Sequence, residues 1–186
     1  MQPNIRSTMN LYLRFILTLI FWRRRKRIQI LDEAETPFIV LPSDLDPNLH
    51  MNNGIFLSIM DLGRIDYSFR SGMAKVMKKL GCYPVVASQT IRYQKSLLPF
   101  RKFRVKTKIL GWDDRFVYVQ QIFESKNEIV AFAIVKARFL SKNGPISPDK
   151  LVQEADTDIK NPILPSWVND WNLSEEQFWK TLKLRS

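Results

Sequence analysis

The spacing of apolar and polar residues changes character several times along this chain, and each change marks an element. Residues 9–22 are apolar except for Asn10, Arg14 and Thr18, and the basic run Arg23, Arg24, Arg25, Lys26, Arg27 follows at once. Residues 36–41 read as a strand, with Pro37 near its start, where an edge or first position tolerates proline. Pro42 ends it and a polar loop begins. Phe56, Ile59, Met60, Gly63 and Tyr67 then recur at helical spacing and predict a helix from Asn53 to about Arg70, stopped by Ser71-Gly72. A shorter amphipathic helix over 73–80 ends at Gly81.

From there the period shortens to two. Residues 84–93 are rich in Val, Thr and Ile. Residues 102–110 alternate, with Phe103, Val105, Thr107 and Ile109 on one face and Arg104, Lys106 and Lys108 on the other. Residues 115–125 follow a tight connection, and residues 129–140 follow a Lys126-Asn127 hairpin turn. Consecutive strands with short loops imply an antiparallel meander, with the long helix laying its apolar stripe on it. The expected class is therefore α+β. The tail beyond Ser141 is punctuated by four prolines. Ser174-Glu175-Glu176-Gln177 looks like a capping box that opens a last short helix, and Trp167, Trp171 and Trp179 are expected to pack the tail on the domain or on a partner chain. Three segments result: 1–31 hydrophobic and basic, 32–160 a globular domain, and 161–186 a helical tail.

Charge alters this picture only once it is located. The net charge of +11 suggests nucleic acid, yet seven basic residues precede the first acid, Asp32, and the remainder sets 22 basic residues against 18 acidic ones. The row Arg101, Lys102, Arg104, Lys106, Lys108 reads as a solvated strand face, with coenzyme A phosphates as an alternative contact; no nucleic acid is expected. The N-terminal segment fits a short anchor or an in-plane membrane helix better than a cleaved signal peptide or a mitochondrial presequence, since bulky apolar residues meet a polybasic flank. Residues 9–27 are thus expected to meet a membrane surface, the endoplasmic reticulum ahead of the mitochondrion, and the basic flank would leave the domain on the cytosolic side. A helix packed onto the domain is the plainer alternative.

One histidine and one cysteine exclude a disulfide framework and the usual zinc sites; no metal and no cofactor are expected. Cys82 reads as a small buried side chain. No G-x-S-x-G elbow, P-loop or dinucleotide fingerprint occurs.

The lone imidazole falls in Asp44-Leu45-Asp46-Pro47-Asn48-Leu49-His50-Met51-Asn52-Asn53-Gly54, directly before the long helix. Part of that polarity suits a turn that satisfies its own backbone, with Asn52 or Asn53 as helix cap. In extended backbone, Asp46, Asn48 and His50 at i, i+2 and i+4 would point the same way. The helix start adds N–H donors suited to a developing oxyanion. Acid, amide, imidazole and oxyanion donors make this an active-site candidate.

The loop, the helix and the strands after it resemble the hotdog-fold acyl thioesterases, whose signature D-x-D-x-N-x-H-x-N-N is filled by Asp44, Asp46, Asn48, His50, Asn52 and Asn53. With Leu41-Pro42-Ser43 before it and Leu110-Gly111-Trp112-Asp113-Asp114 after it, the chain is most similar to the animal branch called thioesterase superfamily member six. The resemblance covers about residues 35–160. It implies a long central helix wrapped by an antiparallel sheet, a homodimer through that sheet, and a site near the dimer interface. It also implies an acyl-CoA substrate, Asp46 as the catalytic acid, Asn48 as the amide that positions it, and His50 as the imidazole of the motif. Asn53, Gly54 and Phe56 would border the substrate. Asp44 reads as a turn-forming or helix-end charge, and Arg64 as the partner of a helix carboxylate.

Two departures stand out. Phe56 occupies a position where family members often carry tyrosine, and residues 92–97 lack the acid that plant relatives draw from the following strand. The implied function is hydrolysis of a fatty acyl-CoA thioester. The alternatives are a hotdog protein that binds acyl-CoA or lipid at a membrane without turnover, and a dehydratase relative.

Overall fold

The computed structural model describes residues 5–155 and 158–183. Residues 1–4 of the N-terminal segment, 156–157 of the domain and 184–186 of the tail lie outside the described residues. Helix α2 (Asn53–Arg70) opens at Asn52, which sits in extended backbone and accepts the Gly54 N–H on Oδ1 at 2.8 Å. Gly72, in the left-handed region at φ +82°, turns the chain into α3 (Met73–Leu80), which Gly81 ends in the same region. Both helices keep the bounds their pattern predicts.

One antiparallel sheet curls around α2. Its strands are β1 (Ala34–Ile39), β2 (Cys82–Tyr93), β3 (Lys102–Trp112), β4 (Val117–Ser125), β5 (Glu128–Ser141) and the short β6 (Gly144–Ile146), in the order β1-β3-β4-β5-β2 with β6 on β5. The expected meander is correct only for β3-β4-β5. β2 instead crosses the molecule to pair with β5, and β1 takes the other side of β3. The reason lies in the connection 94–101, which is no hairpin but a largely exposed crossing pinned by one buried side chain. Leu97 is 1% exposed there, the Gln94 and Lys95 N–H groups donate to Val130 O, and the Phe100 N–H donates to Val40 O. β1, which contains Pro37, is an edge strand, and β2 is the other edge.

The α2 side chains Phe56, Ile59, Met60 and Tyr67 share one core with Val105, Phe123, Ala133 and Val135. Helix and sheet approach closely at Gly63, where a Cβ would come within 3.1–3.3 Å of Gln121 Nε2, Thr107 Oγ1 and Val105 Cγ1. The fully buried Gln121 is satisfied: Nε2 donates to Met60 O and Thr107 Oγ1, and Oε1 accepts from Arg64. On the outer face of β3, Arg104 and Lys106 pair with Glu124 and Glu35. Lys126 and Asn127, both at positive φ, form the turn between β4 and β5.

The tail is more ordered than its prolines suggest. After α4 (Pro148–Ala155), the Asn161 carboxamide docks on the end of β3, accepting the Trp112 N–H and donating to Trp112 O. The last helix, α5 (Ser166–Lys183), begins after Pro165 and not at the capping box near Ser174. Ser174 lies inside the helix, where its hydroxyl donates to Asp170 O at 2.9 Å, because tertiary contacts on the outer sheet face extend the helix backwards. Those contacts are Asn172 to the Tyr118 hydroxyl and Glu175 to Lys136 and Ser88. Val168, at 0% exposure, anchors the helix, whereas Trp167 and Trp179 are exposed; the expectation that these two tryptophans bury the tail is not met within one chain.

Helix α1 (Ile5–Phe21) and the turn Trp22–Arg24 pack on α2 and on the turn Pro42–Asp44. Trp22 stacks on Phe69. Asp66 of α2, fully buried, binds Arg25 at 2.8 Å and Arg70 at 3.2 Å and accepts the Thr36 hydroxyl at 2.8 Å. Among the described residues no helix is long and apolar enough to cross a membrane.

Candidate active site

The loop between β1 and α2 is a closed turn, which corrects the extended backbone expected for it. The Asp46 N–H donates to His50 O at 2.8 Å, the Leu49 N–H donates to Asp46 O at 3.0 Å, and Leu49 takes a left-handed φ of 58°. The base of the loop is closed by the Asn52 N–H on Asp44 O and by a bridge between Leu45 and Met51. Folding back, and not alternation, therefore brings the main chain at i+2 and i+4 to the residue at i.

Asp46 is the hub. Its Oδ1 accepts the main-chain N–H of Asn48 at 2.9 Å and of His50 at 3.2 Å. Two donors on one oxygen restrain the carboxylate and leave the acceptor capacity of Oδ2 unused by them. The groups that hold this carboxylate are thus the main-chain N–H groups of Asn48 and His50, while the Asn48 carboxamide is exposed. Asp46 and the His50 side chain are half-buried. The Gly54 N–H is taken by the Asn52 cap, so it cannot also serve an oxyanion; Asn53, exposed at the first turn of α2, carries the neighbouring N–H. Phe56 is 3% exposed and lies in the core against Phe123 and Tyr93.

Three contributors were not legible as such in the sequence. Asp44, 1% exposed, accepts Arg14 of α1 at 2.7 Å and the Leu41 N–H at 2.7 Å, so the turn-forming role expected of it comes with a buried cation. Leu97 O accepts the Met51 N–H at 2.9 Å and ties the loop to the β2–β3 crossing. The Tyr93 hydroxyl, from the end of the edge strand β2, donates to Asn53 O at 3.3 Å, which brings a phenol beside the loop although Phe56 has none. These partners lie 30 to 46 residues away in sequence and leave no local signature.

A cavity of about 720 Å³ lies near the other end of α2. Its wall is mostly apolar, including Met73, Met77, Val119, Phe139, Leu151 and Val152, with Tyr83 and Val86 of β2 also lining it. Arg64 and Asp61 supply charge there; burial lowers the Arg64 pKa, and the Asp61 carboxylate opposes that shift. Cys82 also faces the cavity, and burial raises its pKa, which keeps it a thiol. None of Asp46, Asn48 and His50 lines this cavity. At about 1.5 Å per helical residue, Asn53 and Arg64 stand about 16 Å apart along α2.

The curled sheet around one long helix, with a polar loop feeding that helix, is the hotdog architecture. Residues 40–171 match the thioesterase-like superfamily, and the chain belongs to it. Within that superfamily the chain is similar to Protein THEM6 of Xenopus laevis, with 37% identity over 144 residues covering 76% of this chain and 68% of the relative. Among solved structures, the probable thioesterase YbaW of Escherichia coli superposes with a TM-score of 0.61 at 18% identity, covering 65% of this chain and 94% of its own. A 4-hydroxybenzoyl-CoA thioesterase variant complexed with 4-hydroxybenzoyl-CoA superposes with a TM-score of 0.60 at 12% identity, covering 67% and 99%. Thioester hydrolysis is the activity class that this family membership supports.

Proposed function

We propose that this protein hydrolyses the thioester of a fatty acyl-CoA as a homodimer at a membrane surface. The observation that carries the reading is the Asp46 carboxylate, held by two main-chain N–H groups in the loop that leads into α2, with one oxygen left for chemistry. That oxygen activates a water, or attacks the thioester carbonyl itself. The Asn53 N–H and the positive end of the helix stabilise the oxyanion, and His50 serves the leaving thiolate.

The apolar cavity favours a fatty chain, and its volume falls within the roughly 300–1,000 Å³ of small-molecule sites. Its distance from Asp46 is accounted for by the dimer. β2 is an edge strand with exposed Tyr83, Val86 and Tyr93. Two-fold antiparallel pairing of β2 with its copy sets the Tyr93 end of one protomer beside the Tyr83 end of the other. The loop of one protomer then adjoins the cavity of its partner. That same separation within one chain, together with Phe56, favours the second reading, an acyl-CoA binder without turnover.

A free-thiol assay over short, medium and long acyl-CoAs separates the two. Asp46→Asn keeps an Oδ1 acceptor for both N–H groups while removing the charge, so the loop should stand and turnover should fall by about 10²–10⁴. Full activity in that variant refutes the mechanism. Long-chain acyl-CoA binding without thiol release from the wild-type protein favours the binder.

A further inference from the structure

Helix α1 is inverted relative to an ordinary surface helix. Arg14, 8% exposed, and Thr18, 4% exposed, face the protein, whereas Tyr12, Leu13, Ile16 and Ile20 are 66%, 55%, 51% and 57% exposed. No described residue covers that outward stripe. An amphipathic helix normally buries its apolar side, so an outward apolar stripe marks a surface that meets something apolar. Beyond the helix, Arg23, Arg24, Lys26 and Arg27 are exposed. An apolar stripe continued by a basic cluster, on a helix too short and too polar to span, matches the chemistry of an anionic bilayer surface met in-plane.

The inward side of this helix leads to the loop. Arg14 Nη2 donates to Asp44 Oδ2 at 2.7 Å and to Ile39 O at 2.8 Å. Asp44 in turn receives the Leu41 N–H on its carboxylate and the Asn52 N–H on its main-chain oxygen. One guanidinium therefore joins the end of β1, the turn Pro42–Asp44 and the residue that caps α2. These groups are both stems of the loop that carries Asp46.

Resting on the hydrolase reading above, we infer that Arg14 is a positioning residue through which the seating of α1 on an anionic bilayer holds the Asp46 loop in its working geometry. A bilayer that binds the apolar face of α1 fixes the helix, and Arg14 transmits that restraint to Asp44. Without the bilayer, α1 is held by fewer contacts and the loop stems open more often.

The test is hydrogen exchange of the full chain, with and without vesicles of phosphatidylcholine and phosphatidylserine, read in peptides covering 9–22, 44–53 and 103–125. In the wild type, anionic vesicles should protect both 9–22 and 44–53, and should raise kcat more than they lower KM. In Arg14→Gln, vesicles should still protect 9–22, but exchange in 44–53 should be about tenfold faster or more and insensitive to vesicles, consistent with losing hydrogen bonds to a charged group. Arg14→Lys should recover part of both effects.

Loop exchange in Arg14→Gln equal to wild type overturns the inference, as does a wild-type loop indifferent to vesicles. A stripe protected without vesicles by a second copy, seen as a doubled mass that Ile16→Ser abolishes, overturns the bilayer as occupant. Should the 103–125 peptides show that Arg14→Gln does not fold, Ile16→Ser/Ile20→Ser carries the test. It leaves Arg14 in place, so the loop should match wild type without vesicles and gain nothing from them; protection that persists overturns the coupling. The exchange readout stands even if no thioester is cleaved, so failure of the hydrolase reading and failure of the coupling are told apart.

Discussion

Removing Asp66 tests how the N-terminal segment is tied to the central helix. Its carboxylate is 0% exposed and lies between Arg25, which follows α1, and Arg70, one turn further along α2, with the Thr36 hydroxyl as a third donor. Asp66→Ala takes away the one anion that the two guanidinium groups share among the described residues. Removing one member of a buried ion pair typically costs about 3–5 kcal/mol. The lower half of that range applies here, because Arg25 is 23% exposed and Arg70 keeps its bonds to Lys26 O and Glu35 O. We expect a loss of about 3–4 kcal/mol, a large share of the roughly 5–15 kcal/mol that holds a domain together. At about 2–4 °C per kcal/mol for a chain of this size, the melting temperature should fall by about 6–16 °C. Urea titration followed by circular dichroism measures the change, and an unchanged slope against urea shows that it reflects stability and not a different unfolded state. Thr36→Val, which removes one hydrogen bond, serves as control and should cost about 1 kcal/mol. A loss below about 1 kcal/mol in Asp66→Ala would refute the claim that this carboxylate neutralises both arginines.

Two further expectations concern the tail and the outer sheet. Gly111 sits at φ +150°, and a Cβ there would stand 2.9 Å from the Pro162 carbonyl oxygen. Gly111→Ala should therefore cost about 2–4 kcal/mol and raise exchange in peptides covering 159–172; unchanged exchange there would contradict the docking of the tail on β3. Glu124 has its pKa lowered by hydrogen bonds from Lys106 and Arg104. A carboxyl held below its unfolded value contributes stability above that value, roughly pH 4, and loses it as pH falls through the folded one. The difference in melting temperature between wild type and Glu124→Gln should thus shrink on acidification from pH 7 to 3, and a difference independent of pH would remove Glu124 from the account.

What the sequence determined by itself was local. Asn52 and Gly72 bound α2 because a cap and a left-handed glycine act within a few residues, and β3 kept its faces because alternation is a property of the strand. The signature Asp46-Pro47-Asn48-Leu49-His50 was legible, and so was the family it resembles. Tertiary structure alone decided that β2 crosses to the far edge, that Asp44 answers Arg14, that Ser174 lies inside a helix, and that α1 turns its apolar side outward. It also decided that the main-chain N–H groups of Asn48 and His50 both meet the Asp46 carboxylate. The physical reason is range: a cap or an alternation is set by neighbours in the chain, whereas a buried ion pair or an edge pairing depends on groups that meet only when the whole chain has folded.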